Sequence, residues 1–253
     1  HKDLSPLGSC RMCVVEVEGM NELATACNTK AKEGMVVQTA SERVIEARKT
    51  VLKLLLSNHN IDCFNCEKNG DCELQKYCNI YGIDTTPYFG SRGLLECEIP
   101  KKDAHPFLSY DQSKCIYCQR CVQTCRVATG RRAIKLRRTG KFTIIDAPFG
   151  EDWEETRCES CGNCAQACPT GALTIKRRKN YRPWEVKRVR TTCPHCATGC
   201  QYDLIVKDNK IVDVEGADGP SNHNMVCVKG RSGSFDFVDH PDRVRHPLIK
   251  NKE

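Results

Sequence analysis

Two cysteine runs with the same spacing constrain the fold of this chain more than any other feature. Each run reads C-x2-C-x2-C-x3-C. The two runs are Cys115, Cys118, Cys121, Cys125 and Cys158, Cys161, Cys164, Cys168. Because thiolates at such short steps can wrap around a compact metal centre, we expect the segment 114–173 to organise the chain.

This spacing predicts two [4Fe–4S] clusters that exchange one ligand. In runs of this kind, typical of two-cluster ferredoxins, the fourth cysteine binds the other cluster. The expected ligand sets are Cys115, Cys118, Cys121, Cys168 and Cys158, Cys161, Cys164, Cys125. We expect each fourth cysteine at the start of a helix. A zinc knuckle and a disulfide mesh are the alternatives, and the doubled register disfavours both.

The composition fits several small metal-bound units better than one large core. The 253 residues allow about two domains of ordinary size, but only 6% are aromatic. The twenty cysteines also suit a secreted disulfide scaffold, yet their metal-type spacing favours reduced thiolates in a cytoplasmic compartment. No apolar run approaches the length of a transmembrane helix.

The formal net charge of +7 invites a nucleic-acid partner, with basic runs at 131–132, 137–138 and 176–179. That charge counts every cysteine as neutral, whereas a cysteine-ligated cubane carries about −2. Four or five clusters therefore cancel the excess. The basic runs are also rarely interleaved with the aromatic residues that nucleic-acid grooves use, so no nucleic-acid partner is expected.

The first cysteines have the spacing C-x2-C-x13-C and are Cys10, Cys13 and Cys27. Alternation predicts short strands at 14–17, 23–27 and 35–38 around a turn at 19–21. Three cysteines on a β scaffold indicate a plant-type [2Fe–2S] site, which needs four ligands. Either the fourth ligand precedes His1 or the interpretation is wrong, and we favour the first.

Residues 41–57 are expected to form a helix that Ser41 caps. It leads to an H-x3-C-x2-C-x5-C set, which comprises His59, Cys63, Cys66 and Cys72. Alone, this set fits a [4Fe–4S] cluster and a zinc site of three cysteines and one histidine about equally well. Beside a double ferredoxin the cluster is favoured. Cys78 and Cys97 fit no motif and are expected to be buried free thiols.

After a basic linker to about Arg190, a last set reads C-x2-C-x3-C-x26-C. Its members are Cys193, Cys196, Cys200 and Cys227. A hairpin that turns at Asp208-Asn209 is expected to bring Cys227 back to the other three. This set predicts a further [4Fe–4S] site.

The five sites, in this order, resemble the N-terminal part of a cytoplasmic formate dehydrogenase catalytic subunit. Residues 1–175 are similar to an electron-transfer region that this family shares with the large iron–sulfur subunit of respiratory complex I and with [FeFe]-hydrogenases. The segments 9–19, 59–72 and 168–173 carry this similarity. In the family, a cysteine upstream of the position of Cys10 completes the [2Fe–2S] site.

Residues 190–253 distinguish these families. An [FeFe]-hydrogenase continues into its own catalytic domain, and complex I subunits normally have a degenerate second ferredoxin run, which is intact here. The segment resembles the opening of a molybdenum or tungsten bis(pterin guanine dinucleotide) oxidoreductase. In that family, the lysine that matches Lys229 lies between the cubane and a pterin, and is implicated in electron passage. An ordinary surface lysine is the alternative.

The resemblance implies an α+β fold made of small iron–sulfur domains. These are a β-grasp [2Fe–2S] domain at 1–40, a helix with the histidine-containing cluster site at 41–100, a double ferredoxin at 101–185, and the N-terminal [4Fe–4S] subdomain of a molybdopterin oxidoreductase at 186–253. The implied cofactors are four [4Fe–4S] clusters, one [2Fe–2S] cluster and, in the complete protein, the molybdenum or tungsten pterin.

The implied reaction interconverts formate and CO2 at catalytic residues beyond residue 253, so the 253 residues alone are expected to be inactive. They are expected to relay electrons to a flavin- and iron–sulfur-containing NAD(P)-reducing subunit, a ferredoxin or a hydrogenase subunit in the cytoplasm. The alternative is a non-catalytic electron-transfer subunit of the complex I or hydrogenase type.

Overall fold

The computed structural model describes residues 3–88, 104–139, 142–146, 153–176, 181–233 and 235–251. The chain divides into two compact units, His1–Trp184 and Glu185–Glu253. The mixture of short helices and antiparallel strands agrees with the predicted α+β class. Within the described ranges, no helix has the length and apolarity needed to cross a membrane.

The first unit opens with a three-stranded antiparallel sheet, in the order β2-β1-β3. Its strands are β1 (Val14–Val17), β2 (Ala24–Thr25) and β3 (Val37–Gln38). The three predicted strands are therefore confirmed, although the second and third are shorter than expected. Val15 and Val17 of β1 form a small core with Ala24 of β2, and Met35 packs against it.

Two helices follow the sheet. Helix α1 (Glu42–Ser57) begins after Ser41, whose hydroxyl accepts a hydrogen bond of 3.4 Å from the Val44 amide, so the predicted cap is confirmed. Helix α2 (Glu73–Ile80) begins after Cys72. Leucines of both helices pack in one core with Ile61 and Cys78. This core holds the segment 59–72 between the two helices.

The double cysteine runs lie in a ferredoxin-like region of the same unit. Strand β4 (Leu108–Tyr110) pairs antiparallel with β7 (Leu173–Ile175), and β5 (Lys135–Thr139) forms a hairpin with β6 (Phe142–Asp146). Helices α3 (Arg120–Thr124) and α4 (Asn163–Ala167) carry the third cysteine of each run. These elements enclose one apolar core. Cys164 belongs to the core, and Cys115, Cys121, Cys125 and Cys168 pack against it.

The expectation that each fourth cysteine lies at the start of a helix is wrong for Cys168, whereas Cys125 is the first residue of a π-helical segment. Cys125 follows α3 and opens a π-helical turn, and Cys168 follows the last residue of α4. The helices begin earlier because Gln119 and Gly162 adopt left-handed conformations, with φ of 62° and 71°, immediately before them. The chain thus turns into a helix before the third cysteine of each run.

The second unit is a three-stranded antiparallel sheet, in the order β10-β9-β8. Its strands are β8 (Lys187–Thr192), β9 (Gln201–Lys207) and β10 (Lys210–Gly216), and a short helix α5 (Val228–Ser232) follows. Asp208 and Asn209 both have positive φ, as a tight hairpin turn of the type I′ kind requires. The predicted hairpin is confirmed.

The expected basic linker up to Arg190 is wrong for its last residues, which belong to β8. Arg190 pairs with Asp203 on the neighbouring strand, and Arg188 pairs with Glu215. The pair of Arg190 and Asp203 joins adjacent strands and supports their pairing, whereas Arg188 reaches across β9 to Glu215 on β10. The basic side chains therefore lie on an edge strand, where charged residues also discourage pairing with other chains.

Candidate iron–sulfur cluster sites

The two ferredoxin loops have the same backbone conformation at equivalent positions. Tyr117 and Ser160 are both left-handed, with φ of 54° and 55°. Their amides donate hydrogen bonds of 3.4 Å to Cys115 Sγ and Cys158 Sγ, the first sulfur of each run. An N–H aimed at sulfur stabilises the thiolate form, which is the form that binds metal.

The first three cysteines of the first run lie beside Cys168 of the second run. Chiefly through burial, the pKa of Cys115 is raised to about 11 and that of Cys118 to about 12, and the nearby charge of Cys168 contributes to both shifts. Burial also raises the pKa of Cys121, and the charge of Cys168 is the next largest cause. These four thiols are therefore close neighbours.

The second run is completed by Cys125. A small cavity is lined by Cys125, Cys158, Cys161 and Cys164. Burial raises the pKa of Cys158 and Cys164, and the charge of Cys125 raises both further. The Ala133 amide donates a hydrogen bond of 3.3 Å to Cys125 Sγ. The fold thus places the fourth cysteine of each run beside the other run.

These buried thiols fit an iron–sulfur cluster chemically. Burial and then repulsion between neighbouring thiolates favour the protonated form of the thiols whose pKa is raised, which are Cys115, Cys118, Cys121, Cys158 and Cys164. A cationic iron centre reverses that preference, because ligating thiols lose their protons and their charge is compensated. Among the described residues, no three His, Cys, Asp or Glu side chains converge on a point where a single metal ion would bind.

A second type of cavity is lined by His59, Cys63, Cys66 and Cys72. The Nδ1 atom of His59 is buried and has no hydrogen-bond partner among the described residues. Burial, followed by the charge of Lys114, lowers the pKa of His59 to about 4. The imidazole is therefore neutral at physiological pH and has a lone pair for a metal. An unpartnered buried nitrogen in a cysteine-lined cavity fits the predicted cluster.

The segment after Cys168 contacts this histidine-containing site directly. A Cβ atom on Gly171 would lie only 2.5 Å from Cys66 Sγ, so a glycine is needed for this approach. The Glu73 amide donates a hydrogen bond of 2.9 Å to the carbonyl oxygen of Pro169. Pro169 and Gly171, which follow the predicted ligand Cys168, therefore contact Glu73 and Cys66 of the neighbouring site.

The N-terminal cysteines also come together. Cys10, Cys13 and Cys27 line a cavity of about 470 Å³. Burial and then hydrogen bonding with Cys13 raise the pKa of Cys27. Among the described residues that line this cavity, the only other cysteine is Cys118, which belongs to a ferredoxin set. Three of the four thiols that a [2Fe–2S] site needs are thus assembled.

Arg120 lies between the N-terminal cysteines and the first ferredoxin run. Burial alone would lower the pKa of its guanidinium, but hydrogen bonding with Glu73 and the nearby Cys118 and Cys10 raise it. Arg120 Nη2 donates a hydrogen bond of 2.8 Å to Glu73 Oε2, and Nη1 donates to the other oxygen. This fork holds a permanent positive charge beside two predicted anionic sites.

In the second unit, the last four predicted ligands are also neighbours. Burial raises the pKa of Cys200, and the charges of Cys193, Cys196 and Cys227 raise it further. The Cys193 amide donates a hydrogen bond of 2.8 Å to the carbonyl oxygen of Cys200. Hydrogen bonding with Thr198 lowers the pKa of the exposed Cys196. The hairpin thus returns Cys227 to the other three.

Lys229 lies in the first turn of α5, two residues after Cys227. Its charge contributes to the lowered pKa of Cys196 after the hydrogen bonds of Thr198. A Cβ atom on Gly230 would lie 3.6 Å from Cys193 Sγ, an ordinary contact distance. The lysine therefore belongs to the surroundings of this site.

Sequence reasoning missed three residues around the sites. Gly171 was part of a recognised motif but had no assigned role, and Arg120 carried no signal. His105 has no metal-ligand spacing in the sequence, yet it contacts the predicted ligand Cys158. Cys78 is buried as expected, and burial raises the pKa of its thiol to about 11. Cys97 lies outside the described residues.

Four family models match successive parts of the chain. They are a 2Fe-2S iron-sulfur cluster binding domain at residues 1–42, the NADH-ubiquinone oxidoreductase-G iron-sulfur binding region at 48–87, the ferredoxin-like domain of NADH-quinone oxidoreductase subunit 3 at 105–174, and the molybdopterin oxidoreductase Fe4S4 domain at 186–238. These matches place the chain among the iron–sulfur proteins of the NADH-quinone oxidoreductase G and molybdopterin oxidoreductase type. Domains for both [2Fe–2S] and [4Fe–4S] clusters are thereby established, and the members are oxidoreductases.

Several proteins of similar sequence or structure are subunits of oxidoreductases or hydrogenases. The alpha subunit of the NADPH-Fe(3+) oxidoreductase of Geobacter sulfurreducens is 37% identical over the whole chain, which covers 29% of that protein. The NADP-reducing hydrogenase subunit HndD of Solidesulfovibrio fructosivorans is 45% identical over 92% of the chain, which covers 38% of it. A crystal structure of an NAD+-reducing [NiFe]-hydrogenase has a TM-score of 0.60 and 29% identity, over 71% of this chain and 74% of that one.

Formate dehydrogenase is represented more weakly. A Staphylococcus aureus protein that is provisionally named a formate dehydrogenase is 27% identical over 99% of the chain, which covers 29% of it. The chain spans between 29% and 38% of the length of the curated relatives that it matches. The similarity therefore concerns the iron–sulfur part of larger proteins.

Proposed function

We propose that this chain is an electron relay with five iron–sulfur sites, ligated by the cysteines and the histidine that the sequence predicts. The observation that carries the proposal is the exchange of Cys125 and Cys168 between the two ferredoxin loops. This exchange is the arrangement that two [4Fe–4S] clusters require. When bound, such clusters accept and donate single electrons, which a chain of closely spaced sites passes on.

The site formed by Cys115, Cys118, Cys121 and Cys168 is the junction of the relay. A hydrogen bond from Glu73 to Pro169 connects the His59 site to this junction, because Glu73 follows Cys72 and Pro169 follows Cys168 in the sequence. Arg120 links it to the N-terminal site, because this arginine lies beside both Cys118 and Cys10. Electrons that enter at either of these sites therefore converge on the same ferredoxin site.

The surrounding residues fix the sites and set their electrostatics. Backbone amides of Tyr117, Ser160 and Ala133 point at cysteine sulfurs and stabilise negative charge there. Burial of the thiols excludes water and increases the effect of each nearby dipole. His59 contributes a neutral nitrogen in place of one thiolate, which makes its site less anionic and favours a higher potential than a site with four cysteines.

For the complete protein, we propose formate–CO2 interconversion at a molybdenum or tungsten pterin. The match of residues 186–238 to a molybdopterin oxidoreductase domain and the position of Lys229 support this reaction. A non-catalytic relay of the NADH-quinone oxidoreductase or hydrogenase type has comparable support, because relatives with those names match the chain well. In both cases the expected partners are flavin-containing NAD(P)-reducing or hydrogenase subunits in the cytoplasm.

One experiment separates these functions. The complete gene product is purified anaerobically, its molybdenum and tungsten content is measured, and cluster reduction is followed by EPR after addition of formate, NADPH, NADH or H2. Reduction by formate in protein that contains molybdenum or tungsten supports the formate reaction. Reduction by a nicotinamide or H2 without either metal favours the alternative. If none of the donors reduces any cluster, the relay itself is refuted.

A further inference from the structure

His105 is the most deeply buried histidine among the described residues and is not one of the predicted metal ligands. Its side chain is fully buried, two residues before Phe107 and just before β4. The ring lies against the indole of Trp153, with the ring centroids 4.8 Å apart. A fully buried imidazole needs partners for both nitrogens, and the identity of these partners reveals which nitrogen carries the proton.

Hydrogen bonds fix the tautomer of His105. The amides of Phe107 and Leu108 both donate to Nδ1, at 3.1 Å and 3.0 Å. A nitrogen that accepts two N–H groups must present its lone pair, so it carries no proton. The single proton of the neutral ring therefore lies on Nε2. This assignment follows from the two backbone donors alone.

The protonated nitrogen faces a predicted cluster ligand. His105 Nε2 lies 3.5 Å from Cys158 Sγ, within the range of an N–H···S hydrogen bond. Cys158 already accepts the amide of Ser160. The second donor comes from a side chain that is distant in sequence, and its orientation is held by the two backbone bonds and by Trp153. Such an arrangement is typical of a residue that tunes a metal site through its ligand.

We propose that His105 raises the reduction potential of the cluster held by Cys125, Cys158, Cys161 and Cys164 by donating its Nε2–H to Cys158 Sγ. This inference rests on the proposed cluster assignment. The reduced cluster is more negative by one charge, and a hydrogen bond to a ligand sulfur stabilises it more than the oxidised cluster. His105 is thus a positioning and tuning residue, not a ligand.

The twin site provides a natural comparison. The residue near its first sulfur is Tyr110, whose hydroxyl proton is donated to Gln112 Oε1. The same hydroxyl also hydrogen-bonds with Cys115, and the Nε2 donor of His105 faces Cys158 instead. Removal of the His105 donor is therefore expected to change the potential of one ferredoxin cluster only, and the other cluster serves as a reference within the same molecule.

The test is an EPR-monitored redox titration of the cluster-loaded protein with His105→Phe. The substitution keeps a ring against Trp153 but removes the donor. The component of interest is assigned by its loss in Cys161→Ser. We expect reduction of this cluster to become on the order of tenfold less favourable, which is about 59 mV for one electron, while the twin cluster is unchanged. Trp153→Phe, which retains the donor and its two backbone bonds, is expected to shift the potential of this cluster less than His105→Phe does and to leave the twin cluster unchanged.

A second measurement covers the case in which His105→Phe does not fold. Wild-type protein labelled with ¹⁵N-histidine is reduced, and the same cluster is examined by ENDOR spectroscopy. A weak ¹⁵N coupling on its signal supports the hydrogen bond, and its absence overturns the inference. Normal clusters with an unchanged potential in His105→Phe would also overturn it. A protein that binds no iron at the run cysteines refutes the relay itself, which is a different result.

Discussion

The backbone amide of Glu73 donates a hydrogen bond of 2.9 Å to the carbonyl oxygen of Pro169. Glu73 is the first residue of α2 and follows Cys72, while Pro169 follows Cys168. The hydrogen bond therefore joins the chain segments of two predicted ligands that belong to different clusters. Two redox sites are better coupled through covalent and hydrogen bonds than across an open gap of the same length.

Replacement of Glu73 by proline removes this amide with little cost to the helix. Proline is well tolerated as the first residue of a helix, and Cys72 already has the extended conformation that a following proline requires. We expect Glu73→Pro to slow electron transfer between the Cys168 and Cys72 sites severalfold while iron content stays constant. The measurement is rapid-freeze EPR after reduction by a fast donor.

Glu73→Ala is the matched control, because it removes the carboxylate that binds Arg120 but keeps the amide. If the two variants transfer electrons at the same rate, the hydrogen bond has no part in the coupling.

A methyl group at position 171 is expected to disturb the histidine-containing site. The Cβ atom of Gly171→Ala would lie 2.5 Å from Cys66 Sγ, which forces the loop or the sulfur to move. We predict that this variant loses up to about four iron atoms per chain, one cubane. Iron is measured after anaerobic reconstitution.

Gly230→Ala is the control for this substitution, since its Cβ atom would lie 3.6 Å from Cys193 Sγ without strain. It is expected to retain all its iron. Equal iron content in the two variants contradicts the packing argument.

Arg48 fastens α1 to the first sheet. Its guanidinium donates hydrogen bonds of 2.8 Å to the Val14 carbonyl and 3.0 Å to the Tyr81 hydroxyl. Arg48→Met keeps most of the apolar stem but leaves both acceptors without this donor, so we expect a loss of about 1–3 kcal/mol of stability. The melting temperature of the cluster-loaded protein, compared at one scan rate, should fall by several degrees.

Lys49→Met removes the neighbouring surface ion pair with Glu46 and should change the melting temperature little. A larger effect of Lys49→Met than of Arg48→Met would show that the sheet is not held by Arg48.

Lys229 is expected to couple the Cys193 site to a pterin in the complete protein. Lys229→Ala should keep iron and molybdenum or tungsten content but slow the reduction of the more distant clusters by formate, because a cation stabilises the electron in transit. Lys229→Arg should rescue the rate only in part, since a planar fork does not replace a compact ammonium. Wild-type reduction rates in Lys229→Ala, followed by rapid-freeze EPR, would identify an ordinary surface lysine.

Local sequence patterns predicted much of this structure. The apolar stripe and the Ser41 cap defined α1, and Asp208-Asn209 defined the hairpin of the second unit, because both signals act over a few residues. The cysteine spacing also predicted that Cys168 would lie beside the first run. Four ligands must surround one cluster, so this spacing relates positions that are far apart in the chain.

The remaining features depend on tertiary contacts that no local pattern reports. His105 and Cys158 are far apart in sequence, and a lone histidine before a proline has no signal of its own. The approach of Gly171 to Cys66 depends on how two distant segments of the first unit pack. Arg190 was expected in a linker because its charge was evident, whereas its partner Asp203 became evident only in the sheet.

The central claim is that these cysteines and His59 hold iron–sulfur clusters, and metal content tests it most directly. The 253-residue chain is purified or reconstituted anaerobically, iron, sulfide and zinc are quantified, and Mössbauer spectra assign the iron. We expect about sixteen iron atoms per chain in four cubanes, with matching sulfide and a labile or substoichiometric [2Fe–2S] centre. Zinc without iron at the His59 or Cys193 sites would contradict the account.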